Sequence, residues 1–329
     1  MEVDILGHLQ ALAPKLGGTG VEGVQRLSGG ASMETWAFTL VGGAPGPAEM
    51  ILRRRSGPFN AAESRSTSLA TEAALIQAAH HVGAPVAPLV RLCEPEDGLG
   101  EAHITGRVAG ETLGRKIVAG EAFAAIRPRL ARQCGQILAR IHSIPGEALD
   151  LKTADALGEL DRYEAIYRAS GARRPVLELA FHHLRGNLPP PLPDVVLHGD
   201  FRNGNLMIHP ETGVAAVLDW ELSHRGDPAE DLSWLCVNSW RFGRSHLPVG
   251  GFGHYQDLLD GYAEAGGTAI SLPRLRYWQA LGSLKWGVMC LMMYASYASG
   301  ATPSVERPMI GRRVSETELD LVHLLEVGL

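Results

Sequence analysis

The chain has 329 residues, 45% of them hydrophobic and 20% charged, with a net charge of −6. That length exceeds what one compact core usually covers, so two lobes are expected, and the mild acidity gives no footing for nucleic acid as a partner. Cys93, Cys134, Cys236 and Cys290 lie far apart with no CxxC pair, which argues against zinc and against a disulfide framework and leaves them as core thiols.

The opening segment MEVDILGHLQALAP is acidic and helix-like, without the basic and apolar regions of a signal peptide. The most apolar late stretch, from Trp286 to Tyr297, is too short to span a bilayer, so the expectation is a cytoplasmic protein with no membrane partner. Residues 21–40 read as a strand (VEGVQRL), a turn (SGGAS) and a second strand (METWAFTL). A loop from Gly42 to Pro47 leads to a third strand, AEMILRRR (48–55). Residues 61–81 are Ala-rich and free of Gly and Pro, which predicts a helix centred on LATEAALIQAAHH. APVAPLVRLC and GEAHITGRV supply two more extended runs. The order describes an α+β layer with a mostly antiparallel sheet.

From about residue 120 the pattern turns helical. Leu130, Cys134, Ile137, Leu138 and Ile141 fall on one apolar stripe, and a second helical stretch covers roughly 155–185. The Pro-rich run NLPPPLPD (187–194) ends it, and after residue 231 the chain is again mainly helical. The boundary between lobes falls near Gly106–Gly110, giving residues 1–106 and 107–329.

The chemistry is concentrated in VVLHGDFRNGNLMIHPETGVAAVLDWE, residues 195–221. Phosphoryl transfer needs a carboxylate to orient a hydroxyl and accept its proton, and oxygen ligands to hold Mg²⁺ against nucleotide phosphates. Asp200 suits the first need, and Asn205 with Asp219 the second. The spacing fits a strand, a tight loop, a hairpin-like pair of strands and a metal-binding turn. Asp227 and Asp231 in GDPAEDLSWL read as residues that hold the following loop and cap the next helix.

HGD with Asn five positions after the Asp, then LDWE and GDPAEDLSWL, resembles the aminoglycoside phosphotransferase-like branch of the protein-kinase superfamily. More narrowly, it is similar to the phosphotransferase domains linked to certain acyl-CoA dehydrogenases. The resemblance runs from roughly residue 24 to the C-terminus. It implies a protein-kinase-like bilobal fold, with a small sheet-plus-helix lobe and a larger helical one, and ATP and Mg²⁺ as cofactors. It makes Asp200 the catalytic base and Asn205 and Asp219 the magnesium ligands, with His198 bracing the loop. LSGGASMETWAF fits the nucleotide-covering loop, where Gly29 and Gly30 let backbone N–H groups approach phosphate and Ser32 adds a hydroxyl. Arg53 falls where the family usually has a phosphate-binding Lys. Strand alternation lets only one of Arg53 and Arg54 face inward, and Arg53 is taken, with Glu72 as its partner. HITGRVAGETL aligns with the hinge, which implies adenine pairing at the Gly106 carbonyl and the Val108 N–H. Leu27, Ile51 and Leu218 supply apolar walls. No GxxxxGK(S/T) run supports a Walker-type alternative.

The acceptor is a small molecule with a hydroxyl, and fold alone does not choose which one. Arg202, Arg225, Trp240, Arg241, Phe242 and Arg244, with Trp278, Lys285, Trp286, Met289 and Met293 farther on, favour an anionic or acyl-bearing substrate over a polycation. The alternative for the Trp/Met stripe is helix core. An aminoglycoside acceptor, and a nucleotide-binding pseudokinase scaffold, stay open as other readings.

Overall fold

The computed structural model describes residues 3–29, 33–57 and 66–327. The first lobe is an antiparallel sheet of β1 (Gly20–Gly29), β2 (Met33–Val41), β3 (Ala48–Arg55), β4 (Leu89–Leu92) and β5 (Ala102–Gly106), in spatial order β1-β2-β3-β5-β4. Strand alternation sorts β3 by face: Met50 and Leu52 join the core under helix α1 (Ile5–Leu12), with Phe38 and Ile104. Ile51 and Arg53 point the other way, into a cleft.

Helix α2 (Leu69–His81) lies between the sheet and the second lobe. The Ala-rich segment predicted a longer helix, but residues 66–68 are not helical. Ser68 is the cap, its hydroxyl accepting the Thr71 N–H at 3.0 Å, a contact that stabilises a helix start by about 1 kcal/mol. Residues 61–65 of that expectation lie outside the described residues.

The second lobe carries α3 (Gly114–Ala119), α4 (Arg127–His142), α5 (Ala156–Ala169), α6 (Pro175–Gly186), α7 (Pro228–Trp234), α8 (Tyr255–Glu264), α9 (Leu272–Ala298), α10 (Glu306–Gly311) and α11 (Val314–Glu326). All five residues of the stripe on α4 are buried. Gly135 lets α8 close on α4, because a Cβ there would lie 2.1 Å from the Leu258 carbonyl oxygen. The stretch expected at 155–185 is two helices, interrupted by Gly171 in a left-handed turn and restarted by Pro175 at the first position of α6. The region expected to be mainly helical after residue 231 includes an irregular segment around residues 235–254. Two small sheets contribute to the core of this lobe through Val196, Leu206, Ile208 and Val217: β6 (Val195–Leu197) with β9 (His224–Gly226), and β7 (Leu206–His209) with β8 (Gly213–Val217).

Helix α9 is the axis of this lobe, buried from Leu275 to Val288 almost without interruption, with α6, α7, α10 and α11 packed on it. No helix among the described residues is long and apolar enough to cross a membrane. All four cysteines are free thiols, and three of them are buried.

Candidate active site

Strand β6 delivers the chain into the loop His198–Asn205. His198 is fully buried, and its Nε2–H donates to the Leu218 carbonyl at 3.0 Å. That pairing assigns the ring proton to Nε2 and leaves Nδ1 to accept the Asp200 backbone N–H at 3.2 Å. The imidazole therefore ties the start of the loop to the chain just before Asp219. Gly199 has φ +81°, and a Cβ there would lie 2.1 Å from the Leu222 carbonyl oxygen, so the bend requires glycine. Underneath, the two oxygens of buried Asp231 accept the N–H groups of His198 at 2.7 Å and Gly199 at 2.9 Å. Asp231 also meets His142 Nε2 at 3.3 Å, and His142 Nδ1 meets the Tyr262 hydroxyl at 2.8 Å. Asp227 accepts the Ala229 N–H at 2.9 Å at the start of α7 and pairs with Arg274. Asp227 thus caps the helix as expected, whereas Asp231 holds the loop that leads into the site rather than the one after it.

Asp200 takes three side-chain donors. Its Oδ1 accepts from Trp234 Nε1 at 2.6 Å, and Arg202 Nε forks onto both oxygens at 3.0 and 3.2 Å. Asn205 Nδ2 donates to Oδ2 at 2.6 Å. A carboxylate cannot face an amide oxygen, so this contact fixes the amide and turns Asn205 Oδ1 away from Asp200. Hairpin β7–β8 then brings the chain back to Asp219, which has φ +66°, a left-handed conformation uncommon outside glycine.

Asp219 belongs to a four-membered charge cluster. Arg53 Nη2 donates to Asp219 at 2.6 Å and to Glu221 at 3.3 Å, and Arg53 Nε lies 3.3 Å from Glu72 Oε2. The contact with Glu72 is an ion pair without hydrogen-bond geometry, since Arg53 Nε and Glu72 Oε1 are both buried without a hydrogen-bond partner. Burial works against the Arg53 charge, but Glu72, Asp219 and Glu221 outweigh it and hold the guanidinium above its ordinary value. Burial, helped by the neighbouring Asp219 charge, pushes the Glu221 carboxyl up to about 7. Arg54 lies on the opposite face of β3, donating to the Leu99 carbonyl at 3.1 Å and to Glu34 at 2.8 Å.

Arg53, Glu72 and Asp219 of this cluster line a cleft of about 640 Å³ between the lobes. Leu27, Ile51 and Leu218 line it, as do Arg53, Glu72, Gly106, Val108, Asn205 and Asp219. The Gly106 N–H is engaged by the Pro88 carbonyl at 2.9 Å. Gly29 ends β1 in register with Glu34, while Gly30 and Ser32 lie outside the described residues.

Several residues singled out for the acceptor are placed elsewhere. Lys285 is buried between Glu159 at 2.8 Å and Glu230 at 2.7 Å, and Trp278 and Trp286 are buried on the same helix. Arg241 donates to the carbonyls of Cys236 and Ser245. The core alternative therefore holds for these side chains. Arg202 does reach the site, its guanidinium lying over the Trp240 ring at 4.6 Å. Sequence reasoning assigned no role to Trp234, Glu221 or His103. For Glu221 a signal was present, a second carboxylate two positions after Asp219. His103 lies beside Arg53 on the sheet, and its buried ring nitrogens make no hydrogen bond.

The mouse protein named acyl-CoA dehydrogenase family member 10 is 25% identical over 247 residues, 73% of this chain and 22% of the relative. The chain spans about a fifth to a third of the length of the acyl-CoA dehydrogenase relatives it matches. Among solved structures, a Ralstonia eutropha protein described as a candidate aminoglycoside phosphotransferase superposes with a TM-score of 0.72 at 21% identity, over 95% of both chains. Amicoumacin kinase hAmiN, solved with AMP-PNP, Ca²⁺ and its amicoumacin ligand, gives 0.60 at 16% identity over 90% of this chain and 88% of its own. At these identities the structures testify to a shared fold. Residues 23–294, which span the cleft and the loop bearing Asp200, match APH, the phosphotransferase enzyme family, and the chain belongs to that family of small-molecule kinases.

Proposed function

We propose that this chain is an ATP- and Mg²⁺-dependent phosphotransferase that moves the γ-phosphoryl group to a hydroxyl of a small molecule, a hydroxyacyl thioester or another anionic metabolite. The observation that carries this reading is a cleft lined by Asn205, Asp219, Arg53 and Glu72, with Asn205 bonded to Asp200 and Asp219 bonded to Arg53. In this reading residues 1–106 cover the nucleotide, residues 107–329 hold the catalytic loop and the acceptor, and the protein works in the cytoplasm.

The donor set suits Mg²⁺. Asn205 turns its amide N–H to Asp200, which leaves its oxygen for a hard cation, and Asp219 adds a carboxylate from the left-handed turn. Among the described residues no group of three or more His, Cys, Asp or Glu side chains is placed to hold a metal unaided. Two protein ligands leave the rest of the shell to phosphate oxygens and water, the arrangement Mg²⁺ prefers. Asn205 and Asp219 would hold Mg²⁺ there with the nucleotide, where it would supply charge neutralisation for phosphoryl transfer. Arg53, held by Glu72, would meet the α/β-phosphates. Gly106 and Val108 would take the adenine edge, and Leu27, Ile51 and Leu218 its faces. Gly29, Gly30 and Ser32 are assigned to the phosphate cover. Asp200 orients the acceptor hydroxyl and takes its proton.

An anionic or acyl-bearing acceptor is favoured by Arg202, which stands beside Asp200 where a polycation would be repelled. The names of the acyl-CoA dehydrogenase relatives point the same way. Retention of Asp200, Asn205 and Asp219 together opposes a pseudokinase scaffold.

Thermal melts with ATP, with and without Mg²⁺, test the nucleotide site in the wild type and in Asp219→Ala. A ligand at about 100 times its Kd adds about 2.7 kcal/mol, which for a chain of 329 residues moves the midpoint by about 4 °C. A Mg²⁺-dependent shift that disappears in the variant is expected, and no shift in the wild type would overturn the reading. Hydroxyacyl-CoAs and kanamycin are then compared as acceptors. Efficient phosphorylation of kanamycin with hydroxyacyl-CoAs ignored would refute the acceptor class.

A further inference from the structure

Asp200 is the group that touches the acceptor in the reading above, and the structure adds a residue that acts through it. Trp234 closes α7, is 8% exposed and places its indole N–H 2.6 Å from Asp200 Oδ1. An indole nitrogen donates and does not accept, so the bond can only hold the carboxylate in place and cannot take its proton.

The ring has little freedom to move. It packs against Trp240 with centroids 5.5 Å apart, and Lys285 Nζ lies 5.8 Å from its centre. On α9, Gly282 makes room for it, since a Cβ there would lie 3.2 Å from the Trp234 ring. The same short helix carries Asp231, which grips the backbone of His198 and Gly199. Helix α7 therefore fixes both the main chain just before Asp200 and one oxygen of its carboxylate. The bond is not a general property of the aromatic cluster. The indole N–H groups of Trp240, Trp278 and Trp286 are buried without a hydrogen-bond partner.

We infer that Trp234 is a positioning residue for phosphoryl transfer, holding Asp200 Oδ1 so that Oδ2 is the oxygen presented to the acceptor hydroxyl. A carboxylate has about four acceptor positions, two on each oxygen. Oδ1 receives Trp234 at 2.6 Å and the shorter Arg202 arm at 3.0 Å. Oδ2 receives Asn205 at 2.6 Å and only the longer Arg202 arm at 3.2 Å. That longer arm is the weakest of the four and the one an incoming hydroxyl displaces. As the O–H bond breaks, the proton passes to Oδ2 and the hydroxyl oxygen bonds to phosphorus. The bond from phosphorus to the leaving nucleoside diphosphate breaks in the same transfer.

This inference rests on the assignment of Asp200 as the base, and the experiment separates the two. Steady-state kinetics are measured for the wild type, Trp234→Phe, Asp200→Asn and the double variant, with Trp278→Phe as the packing control. Loss of a hydrogen bond to a charged group lowers turnover about 10- to 100-fold. Trp234→Phe should lose that much kcat while keeping the KM for ATP and the Mg²⁺·ATP melting shift. It should add no further loss in the Asp200→Asn background, because residues acting as one unit are not additive. Trp278→Phe should keep wild-type kcat. Full turnover in Asp200→Asn would refute the base assignment itself. A collapse in Asp200→Asn with near-wild-type kcat in Trp234→Phe, or losses that add, would overturn only the role of Trp234. A readout that leaves Trp234 untouched covers the case of a poorly folded variant. The chain has six tryptophans, and Asp200→Asn should move one of their indole N–H resonances. A spectrum in which all stay in place would overturn the inference.

Discussion

Replacing Asp231 with Asn tests how the loop bearing Asp200 is held. The two oxygens of Asp231 each serve one backbone N–H, His198 at 2.7 Å and Gly199 at 2.9 Å. An amide offers one oxygen and one NH₂, so whichever way it turns, one buried N–H faces another donor. An unsatisfied buried donor costs about 1–3 kcal/mol, and the surviving bond loses its ionic component. A loss of about 3–5 kcal/mol is expected, the range for breaking a buried charged network. At about 1.5 °C per kcal/mol for a chain of 329 residues this lowers the melting midpoint by about 4–7 °C. Differential scanning calorimetry at pH 7 measures it, and turnover should fall as well because Asp200 follows directly in the chain. The effect has a defined pH dependence. Burial works against the Asp231 charge, but His142 and the His198 N–H hold the carboxyl below its ordinary value of 3.8. The stability this charge contributes is whole above that ordinary value and is lost as pH falls through the lower folded value. The gap between wild type and variant should therefore be constant near neutrality and close in acid below about pH 4. A midpoint shift under about 2 °C at pH 7, or a gap that widens in acid, would refute the argument.

Two further substitutions probe buried charge away from the cleft. Lys285→Met leaves Glu159 and Glu230 facing each other without the ammonium that lies 2.8 and 2.7 Å from them. A loss of about 3–5 kcal/mol is expected by melting, and an unchanged midpoint would show that the pair neutralises itself at no cost. Asp320→Asn should act in the opposite direction. Burial pushes the Asp320 carboxyl up to about 6, and Asn238 Nδ2 donates to its Oδ1 at 2.9 Å, a bond an amide oxygen keeps. A raised folded value means the stability of the neutral form is whole below the ordinary 3.8 and is lost as pH rises towards 6. The variant should melt above the wild type at pH 8 and level with it below pH 3.8, and a benefit independent of pH would count against this account.

What could be read in advance was what neighbouring residues determine. The five apolar residues on α4 recur at helical spacing, and all five are buried. The segment from Val195 to Glu221 packs a loop, a hairpin and a left-handed turn into one short stretch, so spacing alone outlines its geometry. The period of two along β3 separates Arg53 from Arg54, and the structure gives the two side chains different partners on different faces. Where local signals competed, the reading went astray. High helix propensity across residues 61–81 hid the stop imposed by Ser68, whose hydroxyl competes for the backbone N–H of the first turn. The pairing of β6 with β9 joins segments separated by the whole catalytic stretch, and three-residue strands leave almost no periodic signal.

The Trp/Met stripe on α9 was ambiguous for a physical reason. An aromatic set beside a binding site and one inside a core have the same spacing, and only the surrounding helices distinguish them. With α6, α7, α10 and α11 packed around α9, burial decides for core at Trp278 and Trp286, whereas Met289 and Met293 beyond them are half-buried, and Lys285 follows because two buried carboxylates surround it. The same packing accounts for the contact that the sequence could not disclose. Trp234 and Asp200 are 34 positions apart, and nothing in their spacing relates them. They meet because Asp231 anchors α7 under the loop and Gly282 admits the indole from α9. The core of the helical lobe thereby reaches the carboxylate oxygen on which the proposed proton transfer depends.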